Sequence, residues 1–178
     1  MTYLLFATAA FLLAHFITRT PLWPRLAAIG LAFLVSACAG NLVDHSFEFD
    51  ARHDSPGVEI LDHRYGESRF PGASNPEHML KLGQPLQSAH MTGAMKRPDK
   101  LYVKWRVVSE NKLYEDTVDL RKRLPRDITD HKVYFVVRGP QLYVYLVSPK
   151  PRAPNVPPNG PRLYQDYEVS TIYPDQPK

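Results

Sequence analysis

KVYFVVRGPQLYVYLV, residues 132–147, is the clearest structural signal in the chain. β-Branched and aromatic side chains fill both halves of this stretch, and they favour the pleated, half-buried surface of a strand. Gly139 and Pro140 separate the halves, as turn residues separate the two strands of a hairpin. The stretch predicts two antiparallel strands joined by a tight turn, and it indicates a mainly β fold.

A second hairpin is predicted upstream of the first. In LYVKWRVV, which begins at Leu101, the residues Val103, Trp105 and Val107 alternate with charged residues, as in a strand buried on one face. KLYEDTVDL follows after a short polar loop and has a similar pattern. The two hairpins together predict a four-strand antiparallel meander over about residues 101–147, within a small β-sheet or β-sandwich domain.

The composition divides the 178 residues into four segments. These are a signal helix (1–37), a polar tether (38–57), a β-rich domain (58–148) and a proline-rich tail (149–178). VEIL at 58–61 predicts the first strand, and PEHMLKLG predicts a short helix between Pro76 and Gly83. The tail ends in LYQDYEVSTIYP, for which a last edge strand is predicted.

The N-terminal segment has the order of an export signal. Arg19 and Arg25 supply positive charge, an apolar run fills residues 26–35, and two small residues follow. Neither this run nor the apolar run over residues 3–17 reaches the ~20 residues that a membrane-spanning helix needs. A cleaved secretory signal is therefore predicted.

Val35-Ser36-Ala37-Cys38 resembles the lipobox of bacterial lipoproteins, in which an aliphatic and two small residues precede an invariant cysteine. The resemblance implies cleavage between Ala37 and Cys38 and a diacylglyceryl thioether on Cys38. It also implies that the new amino terminus is acylated, for example with palmitate. Because Ala39 and not aspartate follows, it also implies an outer-membrane location facing the periplasm. The alternative is an inert buried cysteine at the end of a transmembrane helix.

The charge balance argues against nucleic acid as a partner. The formal net charge is +4, from 22 basic and 18 acidic residues. Without Arg19 and Arg25 of the signal, the chain has 20 basic and 18 acidic residues. Proteins that bind phosphate backbones concentrate their basic residues much more strongly.

Catalytic and metal-binding patterns are weak in this chain. No serine lies in a Gly-x-Ser-x-Gly turn, and the adjacent Glu115 and Asp116 face opposite sides of a strand. The histidines are too widely spaced for a recognisable metal motif, and surface positions are predicted for His45, His53, His63, His78, His90 and His131. We therefore expect no metal, no cofactor and no enzymatic activity.

Two groups of residues are predicted to contact a partner. Arg121, Lys122 and Arg123 form a basic cluster that suits an acidic protein or anionic envelope groups, with a solvated charge run as the alternative. Tyr143 and Tyr145 share a strand face, and tyrosine is favoured in binding surfaces. The alternative for the tyrosines is packing beneath a proline-rich cover.

These features predict a membrane-anchored envelope lipoprotein that acts as a non-catalytic binding protein for a periplasmic protein. The arrangement also resembles small lipoproteins that serve as periplasmic immunity proteins against secreted toxins. One alternative is a structural or assembly lipoprotein whose proline-rich tail extends toward the cell wall. A small periplasmic hydrolase is the remaining alternative.

Overall fold

The computed structural model describes residues 42–175, half of which lie in β-strands. The strands are β1 (Leu42–Asp50), β2 (Val58–Tyr65), β3 (Ser88–Lys96), β4 (Lys100–Val107), β5 (Lys112–Asp119), β6 (Lys132–Arg138), β7 (Gln141–Pro151) and β8 (Tyr167–Tyr173). Two short helices accompany them, α1 (Ala51–Asp54) and α2 (Glu77–Leu82). The mainly β fold class is confirmed, whereas the predicted signal helix and Cys38 lie outside the described residues.

The strands form two sheets, a mixed one and an antiparallel one. The five-stranded sheet has the order β3-β1-β6-β7-β8 with β1 and β6 parallel, and the three-stranded sheet has the order β2-β4-β5. Both predicted hairpins are present, as β4–β5 and β6–β7. The predicted four-strand meander is wrong, because β5 and β6 belong to different sheets. Their connection crosses between the sheets and buries three apolar side chains, Leu120, Leu124 and Ile128.

The tether predicted over residues 38–57 is wrong from Leu42 onward. β1 lies between β3 and β6, and its inward-facing Phe47 and Phe49 are almost completely buried. LVDHSFEFD does alternate with the period of a strand, but the polar His45 stands among the inward positions and obscures the pattern. The folded domain therefore begins only a few residues after Cys38.

One apolar core lies between the two sheets and joins them face to face. The ring of Phe47 stacks on that of Tyr65 with centroids 4.3 Å apart, and Phe49 stacks on Phe135 at 4.5 Å. β4 contributes Trp105, which is 1% exposed. Complete burial of a large apolar side chain contributes about 1.5–3 kcal/mol, so these residues stabilise the packing of one sheet on the other.

The predicted proline-rich tail folds back onto the domain. Residues 152–166, which we name the strap, cross the outer face of the five-stranded sheet, and β8 then adds the predicted edge strand. Arg162 donates its backbone N–H to Asp54 Oδ1 at 3.0 Å, and Tyr134 donates its hydroxyl to Asp54 Oδ2 at 2.7 Å. The strap covers a second apolar cluster formed by Tyr134, Val136, Tyr145 and Val147.

Gly160 is the point where the strap comes closest to the sheet. Its φ of +81° lies in the left-handed region, and a Cβ atom there would be 2.7 Å from Val169 Cγ1. The same Cβ would be 3.4 Å from Tyr145 Cδ1. Only glycine satisfies both the backbone conformation and the space.

The short helix predicted near residue 80 is present as α2. Pro76 precedes it, and Gly83 ends it with a φ of +60°. None of its side chains is buried, but Leu86 just beyond it donates its backbone N–H to Ile60 O at 2.9 Å. This bond holds the segment against β2. Within residues 42–175, no helix has the length and apolar character needed to cross a membrane.

Candidate functional site

The outer face of the three-stranded sheet forms a groove of about 620 Å³ beside α2. Alternation along β4 turns Tyr102, Lys104 and Arg106 outward, because Val103 and Trp105 face the core. β2 and β5 supply the flanks, and Leu80 and Gly83 form the wall on the α2 side. A second hollow of about 280 Å³ adjoins the groove and shares Lys104 and Leu113 with it.

Most charges in the groove are already paired within the chain. Arg64 Nη2 donates to Asp62 Oδ2 at 3.2 Å, and its guanidinium lies 5.4 Å from the centre of the Tyr102 ring. Arg106 Nε donates to Glu59 Oε2 at 2.9 Å. These pairs fix the two arginines in place and leave their remaining N–H groups at the surface.

Tyr102 is also held in place. Its hydroxyl donates to Glu115 Oε2 at 3.0 Å. Partial burial, together with the nearby Glu115 carboxylate, raises the pKa of Tyr102 to about 12. The phenol therefore stays protonated at neutral pH, and its hydroxyl remains a hydrogen-bond donor to Glu115.

Two groups in the groove lack a full set of partners among the described residues. Lys104 stands in register opposite both Asp62 and Glu115, yet its ammonium forms no ion pair with any described carboxylate. Asp62 is 8% exposed, and its Oδ1 accepts no hydrogen bond from the described chain. An acceptor or a cation of this kind can bind a complementary group supplied by solvent or by a partner.

Exposed apolar side chains border the same face. Leu113 on β5 is 55% exposed, and Val108 in the β4–β5 turn is 53% exposed. Leu80 and Leu82 on α2 are exposed as well. Arginine, tyrosine and exposed apolar side chains on one face are the residue types enriched in protein–protein contact surfaces.

The predicted basic cluster lies outside this groove, in the β5–β6 connection. Arg121 Nη2 donates to Asp119 Oδ2 at 2.6 Å, and this pairing lowers the pKa of Asp119 to about 2. Arg123 donates to Asp175 at 2.5 and 2.9 Å. Lys122 is exposed and has no ion pair among the described residues. Two of the three basic side chains of the predicted cluster therefore already form ion pairs within the chain.

The predicted tyrosine pair does not join the basic cluster. Tyr145 is 3% exposed because the strap covers it, so the alternative of packing under a proline-rich cover holds for this residue. Tyr143 is partly exposed and stacks on Tyr145 with centroids 6.4 Å apart. The Arg138 guanidinium lies 5.4 Å from the centre of the Tyr143 ring.

Two histidines are buried, so their predicted surface positions are wrong. His63 is 0% exposed between the sheets, with Nε2 2.9 Å from Gly72 O. His45 is 1% exposed, with Nδ1 2.7 Å from Val43 O. Burial lowers the pKa of both imidazoles. The alternation of β1 could have revealed His45, whereas the register shift between Ile60 and Asp62 interrupts the alternation of β2 and hides the inward position of His63.

Sequence reasoning also missed a hydrogen-bonded chain across β1 and β3. Ser46 Oγ lies 2.8 Å from Thr92 Oγ1, which lies 3.2 Å from His90 Nε2. His90 Nδ1 lies 3.4 Å from Glu48 Oε2. This is the order hydroxyl, imidazole, carboxylate, but both cross-strand pairs are direct neighbours in the β1–β3 register. Ordinary pairing across a sheet accounts for them, and Glu48 also accepts the hydroxyl of Tyr164 from the strap.

The residues from 42 to 175 contain no group of three or more histidine, cysteine, aspartate or glutamate side chains placed to hold a metal ion. A scan against protein-family models and searches of curated proteins and solved structures found nothing that matches this chain.

Proposed function

We propose that the protein is a lipid-anchored lipoprotein of the bacterial envelope that binds a protein partner in the periplasm without catalysing a reaction. Lipidation of Cys38 anchors it in the outer membrane, and the groove on the three-stranded sheet is its docking surface. Neutralising a secreted toxin is the specific role that the resemblance to immunity lipoproteins favours.

The composition of the groove carries this proposal. Arg64, Lys104 and Arg106 line it together with Asp62, and two further carboxylates of the same face, Glu59 and Glu115, bond to Arg106 and Tyr102. Lys104, which forms no ion pair with a described carboxylate, is available to an acidic group of the partner, and complementary charge steers encounter and fixes register. The exposed leucines around it supply the apolar area that such a contact would bury.

The alternative of an envelope-spanning structural lipoprotein depends on a free tail. Residues 152–166 instead lie over the domain's own sheet, held through Asp54 and Glu48. The described part of the proline-rich segment is thus already engaged, which favours the binding function.

The anchor is tested by Cys38→Ala in the full-length protein. We expect the variant to accumulate as an uncleaved precursor that takes up no radioactive palmitate, because a thioether needs the cysteine sulfur. Ser36→Thr is a control that keeps the thiol. Normal labelling and cleavage of Cys38→Ala would refute the lipoprotein function.

The groove is tested by placing a photo-crosslinking residue at Leu113 of the lipidated protein in living cells. We expect one discrete crosslinked protein, and its yield should fall about ten-fold when Lys104→Met is added. A crosslinker at Val156 on the strap and the distant Lys122→Met variant serve as controls. Equal crosslinking from both positions, or insensitivity to Lys104→Met, would refute docking in the groove.

A further inference from the structure

The anchor and the folded domain are separated by very little chain. Only Ala39, Gly40 and Asn41 lie between Cys38 and Leu42, the first residue of β1. Four residue steps span at most about 14 Å when fully extended. If Cys38 carries the lipid, as the proposed function holds, the end of the domain that contains Leu42 lies close to the membrane surface.

The β5–β6 connection is fixed to that same end. Leu42 pairs with Lys96 at the end of β3. The next residue, Arg97, donates Nη2 to the backbone oxygens of Arg121 and Leu124 at 2.7 and 2.6 Å. A third bond runs from Asp130 N to Asp44 O at 2.9 Å. The predicted basic cluster is therefore held beside the point where the chain enters the domain.

This end has an excess of positive charge. We name it the basic end and define it as residues 42–44, 96–100 and 119–132. It contains eight basic residues against five acidic ones, and two further acids lie against it, Asp175 beside Arg123 and Glu67 beside Lys96. The basic residues are Lys96, Arg97, Lys100, Arg121, Lys122, Arg123, Arg126 and Lys132, and the acidic residues are Asp44, Asp99, Asp119, Asp127 and Asp130.

The cations most available to a partner are exposed and without an ion pair among the described residues. Lys96, Lys100, Lys122 and Arg126 share both properties, and Lys100 stands opposite Asp119 in the β4–β5 register. By contrast, Arg121 and Arg123 are held by Asp119 and Asp175. A basic patch next to an acyl anchor is attracted by anionic lipids and supplements the apolar anchoring of the acyl chains.

We infer that the basic end rests on anionic phospholipid headgroups and orients the domain on the membrane. An acidic protein would compete for the same cations, but the covalent linkage places lipid within reach at all times. β4 starts at this end with Lys100, and Arg106 lies six residues along it, about 20 Å away. The Arg106 and Leu113 part of the groove then faces away from the bilayer, toward the periplasm.

The test uses full-length lipidated protein in vesicles of phosphatidylethanolamine and phosphatidylglycerol doped with a nickel-chelating lipid. Because Cys38 is the only cysteine and carries the lipid, an introduced cysteine is the only free thiol for a spin label. Thr129→Cys labels the basic end, and Pro140→Cys labels the β6–β7 turn. We expect nickel to relax the label at 129 at least about three-fold more than the label at 140.

The charge requirement is tested with Lys96→Gln, Lys122→Gln and Arg126→Gln combined. The ratio of the nickel relaxation at position 129 to that at position 140 should fall close to one in this variant. It should also fall close to one in 0.5 M salt and in vesicles of phosphatidylcholine with the same dopant, because each change removes or screens the electrostatic attraction. A ratio near one in the anionic vesicles, or a triple variant with an unchanged ratio, would overturn the inference. Protein that does not float with the vesicles would refute the lipid anchor instead, so the two failures are distinguishable.

Discussion

The indole Nε1 of Trp105 donates a hydrogen bond to the backbone oxygen of Gly139 at 2.9 Å. Trp105 lies in the three-stranded sheet, and Gly139 forms the turn between β6 and β7 of the five-stranded sheet. The bond therefore connects the two hairpins at one end of the core. It also explains how a polar N–H is accommodated on a side chain that is 1% exposed.

Replacing Trp105 with phenylalanine should destabilise the domain by about 1–3 kcal/mol, because the Gly139 oxygen loses its donor and the core loses volume. Urea unfolding followed by circular dichroism would measure this. Tyr102→Phe removes a bond between exposed groups on the outer face and should cost less than about 1 kcal/mol. Equal losses for the two variants would contradict a special role for the Trp105 bond.

The buried histidines make stability depend on pH. Burial lowers the pKa of His45 and His63 below the usual 6.5, so below that pH the unfolded chain binds more protons than the folded one. Their contribution is complete above pH 6.5 and is lost as pH falls. The free energy of unfolding should drop by up to about 1.4 kcal/mol per pH unit for each histidine.

Urea unfolding between pH 5 and pH 8 would measure this dependence. His63→Gln keeps an N–H donor near Gly72 but removes one titrating group, so the slope should become roughly half as steep. His78→Gln on the exposed face of α2 is the matched control and should leave the slope unchanged. A flat wild-type profile over this range would contradict the prediction.

The hairpins were predictable because the residues that specify them lie within the strands and turns themselves. In β4, alternation alone places Trp105 inward and Lys104 outward, and Gly139 marks the turn between β6 and β7. The distribution of strands between two sheets was not predictable. The parallel pairing of Phe47 with Val133 joins positions far apart in the chain, and no local pattern encodes it.

The groove was predictable only in part. The outward direction of Lys104 and Arg106 follows from alternation, and the limits of α2 follow from Pro76 and Gly83. The position of α2 beside β2 depends on the long-range hydrogen bond from Leu86 N to Ile60 O, and no local sequence pattern predicts that bond. The burial of Tyr145 similarly depends on where the strap returns.

Gly160→Ala should release the strap from the sheet. The new Cβ meets Val169 Cγ1 at 2.7 Å and also occupies a left-handed backbone conformation, so we expect a loss of about 2–4 kcal/mol. Gly57→Ala is the matched control, because its φ is +74° and nothing lies within 4 Å of the added Cβ. Gly57→Ala should cost only about 1 kcal/mol. Similar losses in thermal unfolding would contradict the close contact at Gly160.

Tyr134→Phe should loosen the strap without unfolding the core. The hydroxyl of Tyr134 is one of two donors to the buried Asp54 carboxylate, and Arg162 N is the other. Its loss should cost about 1–3 kcal/mol. Hydrogen exchange should accelerate in residues 152–166 and remain slow in β4. Tyr167→Phe, at an exposed tyrosine, is the control and should leave exchange in the strap unchanged.

Lys104 variants should separate the charge pattern of the groove from its packing. Lys104 stands between Asp62 and Glu115 in neighbouring strands, so Lys104→Glu sets three carboxylates side by side. Like charges directly opposite one another destabilise a sheet, and we expect a loss of about 1 kcal/mol for Lys104→Glu against a few tenths for Lys104→Met. Since the difference is electrostatic, it should shrink when urea unfolding is repeated at high salt. If Lys104→Glu and Lys104→Met were equally stable at low salt, the two carboxylates would not act on this position.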